Sequence, residues 1–331
     1  MLKGEHVMRD RLKRIWILLL ILCGAAILWS CAEQEVSMSM GEKTVVEDSF
    51  EFTPKNVLVS DQIYPPVSGS FPMGWEVEDD SKTYVALTAE VKNLTETSVS
   101  ADQICDFHLL SGETTYDSTM TAVLEDGETN LNSGGSIPSG ETRTVYFIVE
   151  YDKDAVSKET AAEFAFNQQN EDEPVFNYKL TVNTTEPVAV TKELKFDEKI
   201  TVDGLCELTP KSAKFADKIE PANPGYYYNY YKAQSADDRL LVLTINVTNL
   251  SGEEKDAYLF CGMNAVSADK VYVGGVVADD EDRANITQYE TIEKNGQRTI
   301  YGIANMPKEA ENQTCDIYLY AGGEYYRYTL K

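Results

Sequence analysis

The chain repeats itself, and that constrains its fold more than any other feature. Residues 51–65 align with residues 207–221 at an offset of 156. Seven of the fifteen positions are identical: Glu51, Thr53, Pro54, Lys55, Asp61, Ile63 and Pro65 recur as Glu207, Thr209, Pro210, Lys211, Asp217, Ile219 and Pro221. The same offset, without a gap, carries Leu87-Thr88, Val91 and Asn93-Leu94 onto Leu243-Thr244, Val247 and Asn249-Leu250. Cys105, Ser111 and Tyr116 fall likewise on Cys261, Ser267 and Tyr272. Beyond one deleted residue the offset is 155, and Ile137, Arg143, Thr144, Tyr146 and Ile148 match Ile292, Arg298, Thr299, Tyr301 and Ile303. Chance does not hold register over so long a stretch, so the body is two copies of one domain.

Each copy reads as β structure. Val85, Leu87, Ala89 and Val91 alternate with Thr88, Glu90 and Lys92. In the second copy Leu241, Leu243, Ile245 and Val247 alternate with Thr244, Asn246 and Thr248. A period of two with one polar face marks a half-buried strand. Residues 142–149 are apolar on both faces, and 107–110, 164–167 and 176–182 are short and aromatic or β-branched, with Ser-Gly turns at 111–112 and 139–140. Only 155–164 has a helical flavour, enough for a turn or two. About seven short strands in each copy predict an all-β chain of two tandem immunoglobulin-like antiparallel β-sandwiches. The expected divisions are 45–183 for the first, a linker at 184–195 where Thr184, Thr185 and Pro187 break the pattern, and 196–331 for the second.

The N-terminus reads as an export signal. Residues 1–14 carry Lys3, Arg9, Arg11, Lys13 and Arg14 against Glu5 and Asp10. An uncharged run, 15–29, follows, then Ser30 and Cys31. Fifteen residues of helix cover about 22 Å, short of the ~30 Å of a bilayer core. The stretch Leu28-Trp29-Ser30-Cys31 resembles a bacterial lipobox, which implies cleavage after residue 30 and a diacylated Cys31. Trp29 departs from the small residue usual there. The expectations that follow are a signal peptide at 1–30, a polar lipidated tether at 31–44, and a location on the outer side of a bacterial cell membrane.

The composition narrows the partners. The chain has 29 Lys+Arg against 55 Asp+Glu, a net charge of −26, which opposes nucleic-acid binding; the 43% of hydrophobic residues suffices for real cores. Of the two histidines, His6 lies in the signal, which leaves His108 without a second imidazole for a zinc site. No cofactor is expected. Together the lipobox, the acidic tether and the strand pattern Val-x-Leu-Thr-x-x-Val-x-Asn-Leu with its Ser/Gly hairpin resemble the telokin-like, immunoglobulin-fold domains of unknown function on Gram-positive lipoproteins. That resemblance implies fold and location, and it supplies no catalytic residues.

Candidate sites are few. His108, replaced by Asn264 in the other copy, has no partner motif. Cys105 and Cys261 are equivalent and read as buried core residues, whereas Cys206 and Cys315 are absent from copy one and are the pair that a disulfide would join. Acidic runs at 76–80, 171–173 and 279–282 lack the glycine-spaced loop of a calcium site, so no metal is expected. Asp61 and Arg143, recurring as Asp217 and Arg298, are expected to pair as a clamp within each copy. The one positive signal is Tyr226-Tyr227-Tyr228-Asn229-Tyr230-Tyr231, in the loop where copy one carries Phe71, Met73 and Trp75. Tyrosine adds contact area at little entropic cost, which suits recognition of a protein or of a cell-wall glycan. No nucleophile–base pair or phosphate loop is common to both copies, so the expected role is a non-catalytic, lipid-anchored binding or scaffolding module. The alternatives are a solute- or cation-sensing accessory lipoprotein of a membrane complex and an envelope chaperone.

Overall fold

The computed structural model describes residues 34–67, 74–166 and 176–331. The lipidation candidate Cys31, the candidate binding residue Phe71 and the acidic run 171–173 lie outside them. Among the described residues no helix is long and apolar enough to cross a membrane.

Both copies are β-sandwiches of the same design. In the first, the main strands are β1 (Gln34–Ser37), β2 (Thr44–Val46), β3 (Phe50–Ser60), β4 (Lys82–Asn93), β5 (Cys105–Ser111), β6 (Thr114–Asp117), β7 (Met120–Leu124), β8 (Thr142–Asp152), β9 (Thr160–Phe166) and β10 (Phe176–Val182). They form a five-stranded sheet, β1-β10-β9-β5-β6, and a six-stranded sheet that runs from Leu131–Asn132 through β7-β8-β4-β3-β2. In the second, the strands are β11 (Lys192–Glu193), β12 (Ile200–Val202), β13 (Cys206–Ala216), β14 (Asp238–Asn249), β15 (Gly262–Ser267), β16 (Lys270–Val273), β17 (Gly275–Asp279), β18 (Gln297–Pro307), β19 (Cys315–Ala321) and β20 (Glu324–Leu330). The sheets are again β11-β20-β19-β15-β16, and β12-β13-β14-β18-β17 with Ile286–Thr287 at the edge. In each copy the first strand runs parallel to the last, and the other pairings are antiparallel.

The repeated residues explain why the two copies fold alike. Pro54 and Pro210 lack an N–H, and in both copies the ladder to the next long strand slips by one residue just after them, as at a bulge. Asn93 and Asn249 are fully buried at the ends of β4 and β14 and make the same four hydrogen bonds. Asn93 Nδ2 donates to Thr97 O and Ile137 O, and its Oδ1 accepts from the Thr95 N–H and hydroxyl. Asn249 repeats this with Glu253 O, Ile292 O and Ser251. The cores differ in filling. Phe52, Phe107, Phe147 and Phe164 pack ring on ring in copy one, where copy two has Leu208, Met263, Gly302 and Leu319. Gly302 makes room for its partner: a Cβ there would lie 2.6 Å from Met263 Sδ.

Several expectations change. Residues 34–38, expected in a polar tether, are instead part of the first sandwich: β1 pairs with β10 and Met38 is buried in its core. Within 184–195, residues 187–190 are stitched along β3, with Val59 N–H donating to Pro187 O, Ala189 N–H to Val57 O and Asn56 Nδ2 to Val190 O, whereas β11 and Leu194 already belong to the second sandwich. Residues 155–164 hold no helix; a 3-10 turn at Lys153–Ala155 leads into β9, because Ala162 and Phe164 alternate into the core. Asp61 and Arg143 do not pair, since Asp61 follows β3 at one end of the sheet while Arg143 sits opposite Val91 near the other. Asp61 instead meets Lys153 Nζ at 3.1 Å and Arg143 meets Glu141 at 2.6 Å, while in copy two Asp217 pairs with Arg239 at 2.6 Å.

The two sandwiches share a core. On the outer face of the first six-stranded sheet, Leu58, Tyr84, Ala86, Ala122, Leu124, Tyr146 and Ile148 pack in one cluster with Val266, Tyr318, Tyr320 and Tyr325 of the second five-stranded sheet. Tyr320 OH donates to Glu128 Oε1 across the boundary at 2.8 Å. Arg327 bonds Glu186 at 3.3 Å. At Gly262 a Cβ would collide with the Pro66 carbonyl oxygen, so only glycine allows this approach.

Candidate functional site

Docking consumes one outer face of each sandwich, and the comparison of copies shows what it leaves. The free face of the first five-stranded sheet is polar. His108 Nε2 lies 2.8 Å from Glu163 Oε2, and Lys179 Nζ reaches both Glu163 and Glu35 at 2.7 Å. Burial alone would raise the Glu163 carboxyl, but the Lys179 and His108 hydrogen bonds outweigh it and hold it below the usual range. In copy two the matching positions of His108, Glu163 and Ala165 are Asn264, Tyr318 and Tyr320, which form the docking surface. His108 thus belongs to a hydrogen-bonded network with Glu163 and Lys179 on this face.

The outer face of the second six-stranded sheet is the counterpart of the face covered in copy one. Leu240, Val242, Val277, Tyr301 and Ile303 stand where Tyr84, Ala86, Ala122, Tyr146 and Ile148 meet the docked sandwich. Here the partial cover comes from the chain's own tyrosine loop. Tyr231 packs on this apolar patch, in a short strand (Tyr231–Lys232) paired with Lys218–Ile219. From there the loop arches outward and is pinned at two points to the turn after β17. Asn223 N–H donates to Arg283 O at 2.8 Å; Asn229 N–H donates to Asn285 Oδ1 at 2.9 Å and Asn229 O accepts from the Ile286 N–H at 3.1 Å.

Between those pins the rings project. Tyr226 and Tyr227 are 92% and 89% exposed, edge to face with centroids 4.9 Å apart. Tyr228 is tied down, its OH donating to Glu220 Oε1 at 2.6 Å, and Lys218 bridges from Glu220 to the face of Tyr230. Tyr289 adds a fourth exposed ring, a residue that the sequence reading passed over. Of the loop's five tyrosines, then, Tyr226, Tyr227 and Tyr230 are presented, Tyr228 braces the arch and Tyr231 anchors it. Behind the anchor lies a recess of about 310 Å³ whose wall includes Tyr231, Leu240, Tyr258, Val277 and Ile303. Trp75 is not brought to any such place. It pairs in a short strand with Ile63 and packs against the core shared by the sandwiches.

The remaining candidates resolve structurally. All four described cysteines are buried free thiols, so Cys206 and Cys315 form no disulfide. Each is sealed into the sandwich interior, Cys206 donating to Phe260 O and Cys315 to Ala310 O. Burial pushes the Cys206 thiol up to about 12, which removes it from thiolate chemistry at neutral pH. Asp280, in the acidic run 279–282, accepts the Ala284 and Asn285 N–H groups and the Asn285 amide. Among the described residues no group of three or more His, Cys, Asp or Glu could hold a metal ion.

No family model and no curated protein matches the sequence. Among solved structures the chain is similar to an uncharacterized β-sandwich protein of Clostridium difficile, at 20% identity over 45% of this chain and 95% of that one, with a TM-score of 0.39. A conserved hypothetical protein of Bacillus anthracis matches at 14% identity over 42% and 96%, TM-score 0.29. A marsupial T cell receptor matches at 9% identity over 87% and 98%, TM-score 0.17. The first two are proteins of Gram-positive bacteria.

The sequence marks Asp279 only as the first member of the acidic run 279–282. It ends β17 on the outer face, at the position of Leu124 in copy one, and is 1% exposed. Its Oδ2 accepts from Tyr301 OH at 3.2 Å and Arg283 Nε at 3.4 Å, but its Oδ1 has no partner. Burial raises its pKa against those two bonds. Substitution of a leucine by an aspartate between the copies was the available signal.

Proposed function

We propose that the chain is a non-catalytic, lipid-anchored module on the outer side of a bacterial membrane, which binds a protein or glycan partner through the second sandwich. The observation that carries this reading is the arch 223–229, hydrogen-bonded at both ends so that Tyr226 and Tyr227 stand in water. Two large rings held exposed gain nothing for the fold, whereas pre-ordering them lowers the entropy lost on binding. The basic segment, the short apolar run and Cys31 support the anchor, and the docked first sandwich then serves as a rigid spacer.

Crosslinking on intact cells tests the reading. Recovery of a partner with the parent chain and its loss when Tyr226, Tyr227 and Tyr230 are changed to Ser is expected. Equal recovery would contradict it. Changing Cys31 to Ala should release the protein from the membrane, and unchanged retention would remove the lipid anchor from the account.

A further inference from the structure

Copy two lacks a side chain that copy one uses on the same sheet face. In copy one, Met120 opens β7 opposite Ile148 and packs against the core shared by the sandwiches. Its counterpart is Gly275, which opens β17 opposite Ile303. A Cβ built on Gly275 would meet nothing within 4 Å, so the position borders open space. Gly275 lines the recess of about 310 Å³ behind Tyr231. Leu240, Val277 and Ile303, the counterparts of Tyr84, Ala122 and Ile148, give that recess apolar walls. Copy one thus shows what fills the equivalent place: one long, flexible apolar side chain.

The rest of the wall selects the kind of molecule that could supply it. In a chain with 55 Asp+Glu, no carboxylate lines the recess, and its one charged residue is Lys232. A basic group would find no counter-charge there, and a sugar would set hydroxyls against aliphatic side chains. Gln234, Gln288 and Asn305 add amides to the wall, which suit the peptide groups on either side of an inserted residue. The recess is also continuous with the interface between the sandwiches. Val273 lines both the recess and the cleft between them, and Tyr258 of the recess wall packs against the shared core. Tyr289, 62% exposed, follows the wall residue Gln288 and offers a flanking contact.

We propose that this recess is a socket for one methionine- or leucine-like side chain of a protein partner, which takes the place that Met120 fills in copy one. This rests on the reading of the second sandwich as the binding domain and specifies how it holds a protein.

The test is an NMR titration of the mature chain with blocked single residues: the N-acetyl, N-methylamide forms of methionine, leucine, serine and arginine. Saturable shifts at 275, 277 and 303 are expected with methionine and leucine, at least about tenfold tighter than with serine or arginine. Gly275→Met, which restores the copy-one residue, should abolish them while leaving the melting temperature equal or higher, because open space is filled on a strand. Absence of shifts at saturating methionine derivative, equal binding of the serine or arginine forms, or unaltered binding in Gly275→Met would each overturn the proposal. Crosslinking on intact cells separates it from the reading on which it rests. Gly275→Met should lose the partner as the tyrosine replacements do. A partner kept by Gly275→Met, but lost when Tyr226, Tyr227 and Tyr230 are changed to Ser, would discard the socket and keep the binding module.

Discussion

The two sandwiches share strand order, the slip after Pro54 and Pro210, and the buried asparagine clamp, yet they use their outer faces in opposite ways. Copy one hides the apolar face of its six-stranded sheet and exposes a polar five-stranded face bearing His108, Glu163 and Lys179. Copy two hides the five-stranded face, made of Tyr318, Tyr320 and Tyr325, and leaves its six-stranded face to a tyrosine arch and the recess behind it. The fold is fixed by residues that both copies keep. The roles are set at outward positions, where Glu163 became Tyr318, Asp106 became Gly262 and Leu124 became Asp279. Duplication therefore freed one surface for docking and another for recognition, without changing either core's design.

The sharpest way to break the comparison is at Gly262. Changing it to Ala drives a Cβ into the Pro66 carbonyl, and the expected cost is about 3 kcal/mol, the upper end for overpacking. Calorimetry should show one unfolding transition for the parent and two for the variant. The same change at Gly112, in a copy-one turn with open space around it, should not separate the sandwiches. Next in size are the clamps. Asn93→Ala and Asn249→Ala each strip four hydrogen bonds from a buried site and should each cost about 2–3 kcal/mol, as read by denaturant melts. Markedly unequal losses would break the equivalence of the copies.

A smaller effect is expected from Glu128→Gln. Burial raises the Glu128 carboxyl, and the bond from Tyr320 only partly opposes this. A raised folded-state pKa gives stability that is complete below the unfolded value, about 4.3 for Glu, and is lost as pH climbs through the folded one. The glutamine can still accept from Tyr320 and does not ionise. The variant should therefore match the parent in acid and exceed it at neutral pH; a gap that closes as pH rises would contradict this. The smallest effect belongs to the arch. Tyr226→Ser with Tyr227→Ser should shift stability by no more than about 0.5 kcal/mol, because those rings touch little but each other.

Sequence legibility followed the same division between inward and outward positions. The strands β4 and β14, the duplication and the buried Cys105 and Cys261 were readable because burial on one face imposes a period of two. Docking was not, because Tyr318 and Tyr320 alternate just as an ordinary half-exposed strand would. The β1 pairing was missed because Gln34, Glu35 and Ser37 are polar; what ties the segment down is its backbone ladder to β10 and the single buried Met38. The tyrosine run announced itself, yet which rings would be presented depended on pins to Arg283, Asn285 and Ile286 far away in sequence. Asp279 looked like one more member of an acidic run, and only its place on an apolar sheet face gives it meaning.

Peptide-mapped nitration of tyrosines in the native chain tests the division of faces most directly. The account predicts rapid modification at Tyr226, Tyr227, Tyr230 and Tyr289, with Tyr146, Tyr318, Tyr320 and Tyr325 protected until the protein unfolds. Comparable nitration of Tyr320 and Tyr325 in the folded protein would show that the sandwiches do not dock, and would contradict it.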